Sequence, residues 1–210
     1  MKWVVLADAL QKEEWLYRGV ADGLHIEWIG RVDEFTLHRT ADAFIDLQFE
    51  NTPARIGLLQ SLLPQTVIIN SVITPLKEIN SSFIRINGWN TFLKREIIEA
   101  ACINEEALTE ASKIFKIINR KQEWVPDIRG FISARVIAMI INEAYFALGE
   151  KVSTREEIDM SMKRGTNYPY GPFEWSRLIG LKNIYELLVT LSGENKRYTP
   201  ASLLEKEALR

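Results

Sequence analysis

A chain of 210 residues with 47% hydrophobic content and six tryptophans has enough apolar surface for one large or two small packed domains, which excludes a disordered chain. The net charge of −2, with Lys and Arg scattered rather than blocked, excludes nucleic acid or an anionic membrane as the main partner. No apolar run reaches the roughly 20 residues of a bilayer span, and the lone Cys102 has no partner for an internal disulfide and no ligand pattern around it.

Cys102 therefore reads as a small buried hydrophobe. Met1–Leu6 is too short for a secretory signal and runs into acidic sequence, so the expected location is cytoplasmic. The pattern predicts a strand at Lys2–Leu6, a helix over Leu10–Val20, and strands at Leu24–Ile29 and Ala43–Phe49. A helix at Ile56–Leu63 and strands at Thr66–Ile69 and Phe83–Ile86 follow. Strands alternating with crossover helices imply a parallel α/β sheet. From Glu96 onward the sequence reads as almost wholly helical, which places a domain boundary near Thr91–Lys94. Glu105–Asn119 has helical spacing, and Phe131–Leu148 reads as a central buried helix. Ser153–Glu157 has the composition of a helix start, while Gly165 and Gly180 are expected stops.

Two prolines, a glycine and three aromatics crowd Asn167-Tyr-Pro-Tyr-Gly-Pro-Phe-Glu174. Such a stretch cannot continue a helix and predicts a buried, aromatic-packed corner between helices. Together with Gly130-Phe-Ile-Ser-Ala-Arg135, Glu156-Glu-Ile-Asp159 and Met162-Lys-Arg-Gly165, it resembles the C-terminal domain of the 3-hydroxyacyl-CoA dehydrogenases. Asp42–Glu50, Leu62–Asn70 and the tail from Arg197 to Leu204 extend the resemblance. It implies a complete but shortened member: a reduced Rossmann-like domain over residues 1–92, then a helical dehydrogenase domain over 93–210. The shortening falls before Asp42. In the family the helical domain supplies dimer contacts, so the resemblance also implies a homodimer.

A nicotinamide dinucleotide needs a glycine turn after the first strand, because side chains there block the pyrophosphate from a helix N-terminus. Ala7–Arg18 contains no glycine, and Asp8, Glu13 and Glu14 would repel a pyrophosphate. Asp33 and Glu34, beyond the second strand, read as solvated loop residues. No cofactor is expected. The resemblance places the family's general-base histidine at Asn87, and an amide cannot act as a general base. It places the orienting carboxylate at Glu99, whose bland reading is a helix carboxylate. The hydroxyl position falls on Val72, or on Ser71 with a one-residue shift. The amide before Arg135 is replaced by Ala134. Glu50, Asn90 and Arg135 fall on substrate-binding positions. His25 and His38, the two histidines present, lie away from the strands' carboxyl ends. The sequence thus reads as a degenerate relative that keeps the scaffold and an acyl-CoA crevice. The alternatives are an active oxidoreductase on 3-hydroxyacyl-CoA using NAD in an unusual mode, and a subunit that completes its site with another chain.

Overall fold

A computed structural model describes all 210 residues, apart from the side chain of Glu106. The chain forms two compact units, Met1–Phe131 and Ile132–Arg210. The first is built on seven strands: β1 (Lys2–Leu6), β2 (His25–Ile29), β3 (Ala43–Asp46), β4 (Thr66–Asn70), β5 (Ile84–Ile86), β6 (Ile97–Cys102) and β7 (Lys121–Trp124). Their order is β2-β1-β3-β4-β5-β6-β7. The first five are parallel, β6 joins β5 antiparallel, and β7 runs parallel to β6.

The central strands are apolar at consecutive positions because both sheet faces are covered. Trp3, Val5, Ile45, Ile68 and Ile84 pack on one face with α1 (Ala9–Leu16) and α3 (Glu105–Ile117). Val4, Leu6, Phe44, Val67 and Ile69 pack on the other with α2 (Pro53–Gln60) and a 3-10 turn at Val32–His38. The full doubly wound order places a third strand outside the second. Here β2 is the sheet edge, and the 3-10 turn carries the chain from β2 to β3, consistent with a shortening before Asp42.

Two expectations are corrected. The sheet does not end at Thr91–Lys94, because β6, α3 and β7 belong to the first unit and the change to helices falls at Phe131–Ile132. Ile97–Cys102 carries Glu and two Ala, which suit helices, and becomes a strand through pairing with β5. Cys102, at the end of that strand, is half-buried rather than buried, and its thiol donates to the Asn104 carbonyl.

The second unit is helical: α4 (Ser133–Gly149), α5 (Arg155–Thr166), α6 (Pro172–Ile179), α7 (Leu181–Glu194) and α8 (Ser202–Ala208). Ala134, Ile137, Ala138, Ile141 and Tyr145 turn the inner face of α4 to the core. Asn142 on that face donates to the Thr199 carbonyl and accepts from the Ala201 N–H, fixing the C-terminal segment. Thr154 caps α5 in a capping box with Glu157. That helix passes through Gly165 and stops at Asn167, whose short polar side chain tolerates the left-handed conformation. Gly180, at φ 93°, separates α6 from α7 as expected. Among the described residues no helix is long and apolar enough to cross a membrane.

The corner is less buried than expected: Asn167 and Pro169 are exposed, Tyr168, Tyr170 and Glu174 half-buried, and Gly171, Pro172 and Phe173 buried. Tyr168 and Tyr170 both lie 5.8 Å from the Trp175 ring. The Asp159 carboxylate accepts from the Phe173 and Glu174 N–H groups, satisfying the free donors at the start of α6. Glu174 closes a second bond back to the Gly171 N–H. Each part of the motif has a packing role: Pro172 opens the helix, Gly171 leaves room for Asp159, and Phe173 stacks at 5.0 Å on Tyr145.

Candidate functional site

In an open α/β sheet a ligand sits outside the carboxyl ends of the strands, where the strand order reverses. Here that point lies between β1 and β3. After β1 the chain enters α1 directly, and Asp8 caps it: the Asp8 carboxylate accepts from the Gln11 N–H at 2.8 Å, and the Asp8 N–H donates to Gln11 Oε1. Gln11 then crosses the reversal point, its Nε2 donating to the Leu47 carbonyl just beyond β3 at 2.8 Å. Asn70, ending β4, donates to the same carbonyl and to that of Gly88, and accepts from the Gly88 N–H. Gly88 is needed there, since a Cβ would lie 2.7 Å from Asn70 Cγ. The ends of β1, β3 and β4 and the turn after β5 are thus joined by the chain's own amides and one carboxylate.

These residues do not fit a dinucleotide. A pyrophosphate needs the free N–H groups of a helix N-terminus, and at α1 the Asp8 carboxylate already accepts from one of them, the Gln11 N–H, and sets a negative charge there. Glu13 is exposed. Glu14, by contrast, turns inward and does not face the turn: both its oxygens accept from the Thr91 N–H, at 2.8 and 2.9 Å. Burial pushes the Glu14 carboxyl above its ordinary range, and the Thr91 N–H opposes the shift. Its bonds hold Thr91 at φ 78°, fixing the loop after Asn87 against α1.

Asn87 and Glu99 meet. Asn87 Nδ2 donates to Glu99 Oε2 at 2.9 Å, and its backbone N–H donates to the Glu99 carbonyl. Glu99 is not a helix residue: it lies on β6, and the antiparallel pairing Ile86↔Ala100 brings it beside Asn87. Each of the other expected site residues has its own setting. Ser71 donates its hydroxyl to the Thr74 carbonyl, and the Val72 carbonyl accepts from Arg85 and Gly130. Glu50 is exposed and Asn90 half-buried. Arg135 belongs to the second unit, where it donates to the Tyr198 hydroxyl and lies over its ring. Ala134 is buried in α4. His25 opens β2, and His38 contacts Lys2 at the start of β1, so both lie at the opposite ends of the strands.

Sequence reasoning missed two buried arginines. Arg85, fully buried on β5, donates to Asp127 at 2.7 Å and to the Ser71, Val72 and Ile128 carbonyls. Asp127 in turn accepts from the Leu76 and Lys77 N–H groups, so this pair orders the loop after β4. Arg120 donates to the carbonyls of Glu14, Trp15, Leu93 and Ile118, and burial lowers its pKa to about 10. A charged residue inside Phe83-Ile-Arg-Ile86 was the available signal for Arg85.

The Asn87 geometry gives a test. Asn87→His places an imidazole beside the Glu99 carboxylate, which favours the charged ring, while burial disfavours it. A carboxylate at hydrogen-bond distance outweighs the burial, so the imidazole is expected to titrate above the ~6.5 reference. The stability it contributes is then fully present below the unfolded-state value of about 6.5 and is lost as pH rises through the higher folded-state value. NMR titration checks this, and an imidazole titrating at or below ~6.5 contradicts the pairing.

The architecture is a mostly parallel sheet unit and a helical unit. A solved (S)-3-hydroxybutyryl-CoA dehydrogenase from Ralstonia eutropha shares the fold with a TM-score of 0.74 at 16% identity, over 98% of this chain and 92% of that one. FadB2 of M. tuberculosis shares it with a TM-score of 0.78 at 13% identity, over 99% and 93%. Residues 130–209 match the family described as 3-hydroxyacyl-CoA dehydrogenase, C-terminal domain, and this part of the chain belongs to that family. It is 39% identical over 116 residues to the 3-hydroxyadipyl-CoA dehydrogenase of Escherichia coli K12, covering 53% of this chain and 24% of that protein. It is 29% identical over 184 residues to a probable 3-hydroxybutyryl-CoA dehydrogenase of Bacillus subtilis, covering 79% and 63%. The chain thus spans less than two thirds of the length of each of these two relatives.

Proposed function

We propose that this chain is a non-catalytic member of its family, which keeps the scaffold and a crevice for acyl-CoA thioesters but does not bind a nicotinamide dinucleotide in the usual mode. The observation that carries this reading is the Asp8–Gln11 cap on α1, extended by Gln11 to the Leu47 carbonyl. A bound pyrophosphate would have to displace the Asp8 carboxylate from the Gln11 N–H and bring its own charge beside it. Asn87 supports the same reading, since a carboxamide neither takes nor gives a proton near neutral pH. Absence of a positioned base forfeits about 10²–10⁴ in rate before any lost cofactor affinity is counted.

Titration calorimetry with NADH tests the proposal. The expected result is no heat of binding up to high micromolar concentration, and a clear one-to-one isotherm would refute it. The competing reading is an active oxidoreductase on 3-hydroxyacyl-CoA with an unusual cofactor mode. The position of Glu99 against Asn87 favours it to the extent that the carboxylate partner of a base is still in place.

A further inference from the structure

The short connection from β2 to β3 leaves β2 at the edge of the sheet, and among the described residues no strand pairs with its outer side. Successive residues of a strand turn their backbone groups to opposite sides. The His25 N–H donates to the Met1 carbonyl, so His25, Glu27 and Ile29 bond towards β1. Ile26 and Trp28 therefore turn their N–H and C=O groups to the open side. Exposed edges are usually blunted by lysine, proline or a bulge. β2, His-Ile-Glu-Trp-Ile, has neither residue, and its register with β1 runs unbroken from His25 to Ile29. Its two faces differ. Leu24, Ile26 and Trp28 are half-buried and join the apolar cluster of α1 and α3. His25 and Glu27 lie on the other face, with 67% and 39% of their side chains exposed.

We propose that β2 pairs antiparallel with β2 of a second copy of this chain, about a two-fold axis at Ile26, joining the two sheets into one. Charge selects both the occupant and the register. With Ile26 opposite Ile26, His25 of each copy faces Glu27 of the other, and Leu24 faces Trp28. Imidazole meets carboxylate on one face, and apolar meets apolar on the other. The outward groups of the two Ile26 residues form a hydrogen-bonded pair, and His25 and Glu27 take the closer, non-hydrogen-bonded positions. A two-fold axis at Glu27 would also align the outward groups, but it sets carboxylate against carboxylate. The contact is isologous and closes at two copies. It lies on the first unit, apart from the self-association of the helical domain that the resemblance implies, and it does not depend on the non-catalytic reading.

The experiment is sedimentation velocity of the whole chain at tens of micromolar, beside cysteine cross-linking. Ile26→Pro removes an outward N–H and keeps the bonds to β1, so it is expected to halve the mass of the assembly, whether or not the helical unit also self-associates. Glu27→Lys removes the acceptor that faces His25 and is expected to weaken association several-fold; adding His25→Glu exchanges the charges and restores it. In a Cys102→Ser background, Ile26→Cys should form an interchain disulfide on oxidation with copper phenanthroline, because opposed Cα atoms about 5.5 Å apart suit one. Glu27→Cys, which faces position 25 of the other copy, should cross-link far less. Circular dichroism establishes that each variant is folded, and the charge exchange and the cross-link decide if Ile26→Pro is not. A monomeric unmodified chain, a mass that folded Ile26→Pro leaves unchanged, a Glu27→Lys defect that the exchange does not repair, or cross-linking at 27 in preference to 26 overturns the proposal.

Discussion

Arg85→Leu is expected to destabilise the first unit by about 3–5 kcal/mol, read as a lowered denaturant midpoint at unchanged slope. The guanidinium is fully buried, ion-paired to Asp127, bonded to the carbonyls of Ser71, Val72, Thr74 and Ile128, and 4.2 Å over the Phe131 ring. Burial lowers its pKa and the Asp127 charge opposes the shift. Leucine fills part of the volume but leaves the Asp127 carboxylate without its counter-charge and the carbonyls without donors. The Leu76 and Lys77 N–H groups still reach Asp127, which points to the lower end of the range. Arg85→Lys should recover little, since one ammonium cannot reproduce the spread of the guanidinium donors. Arg18→Ala is the control. Its ion pair with Glu96 is 3.7 Å long with exposed side chains, so it should shift stability by no more than about 0.5 kcal/mol.

Gly171→Ala should cost about 2–4 kcal/mol, checked by thermal or denaturant unfolding. The backbone at Gly171, φ −73° and ψ 162°, suits any residue, so the effect is one of space. An added Cβ would lie 2.3–2.4 Å from the Asp159 side chain. Asp159 would have to retreat, and the Phe173 and Glu174 N–H groups at the start of α6 would lose their bonds to its carboxylate. Because both residues act through one contact, Asp159→Ala combined with Gly171→Ala should cost clearly less than the sum of the single changes. Additive costs would mean that Asp159 is not the neighbour that makes glycine necessary.

The sequence reveals most about those elements whose signal is local. Val4, Val5, Ile45, Val67, Ile68 and Ile69 are β-branched residues in apolar runs that made β1, β3 and β4 legible, while β2 and β5 were legible from apolar residues alternating with polar ones. The lost strands are those whose identity depends on a partner: β6 on its pairing with β5, and Lys121–Trp124 as an edge strand with two polar exposed positions. Asn167 stops α5 where Gly165 was the stronger local signal, because the helix keeps its last turn beneath the corner. At the site, the absent glycine turn and the Asn87–Glu99 pair were legible, the second through resemblance. The inward turn of Glu14 and the placing of Arg120 were not, since Glu14 meets Thr91 across 77 positions and Arg120 meets the Glu14 and Trp15 carbonyls across 106 and 105.

The claim that this chain no longer performs hydride transfer is tested most directly by an NADH-linked assay of acetoacetyl-CoA reduction with the whole, unmodified protein. The account predicts a rate at the no-enzyme background, because α1 is capped by Asp8 and the base position is held by Asn87. Sustained turnover in the ordinary enzyme range, about 1–10³ s⁻¹, would contradict it.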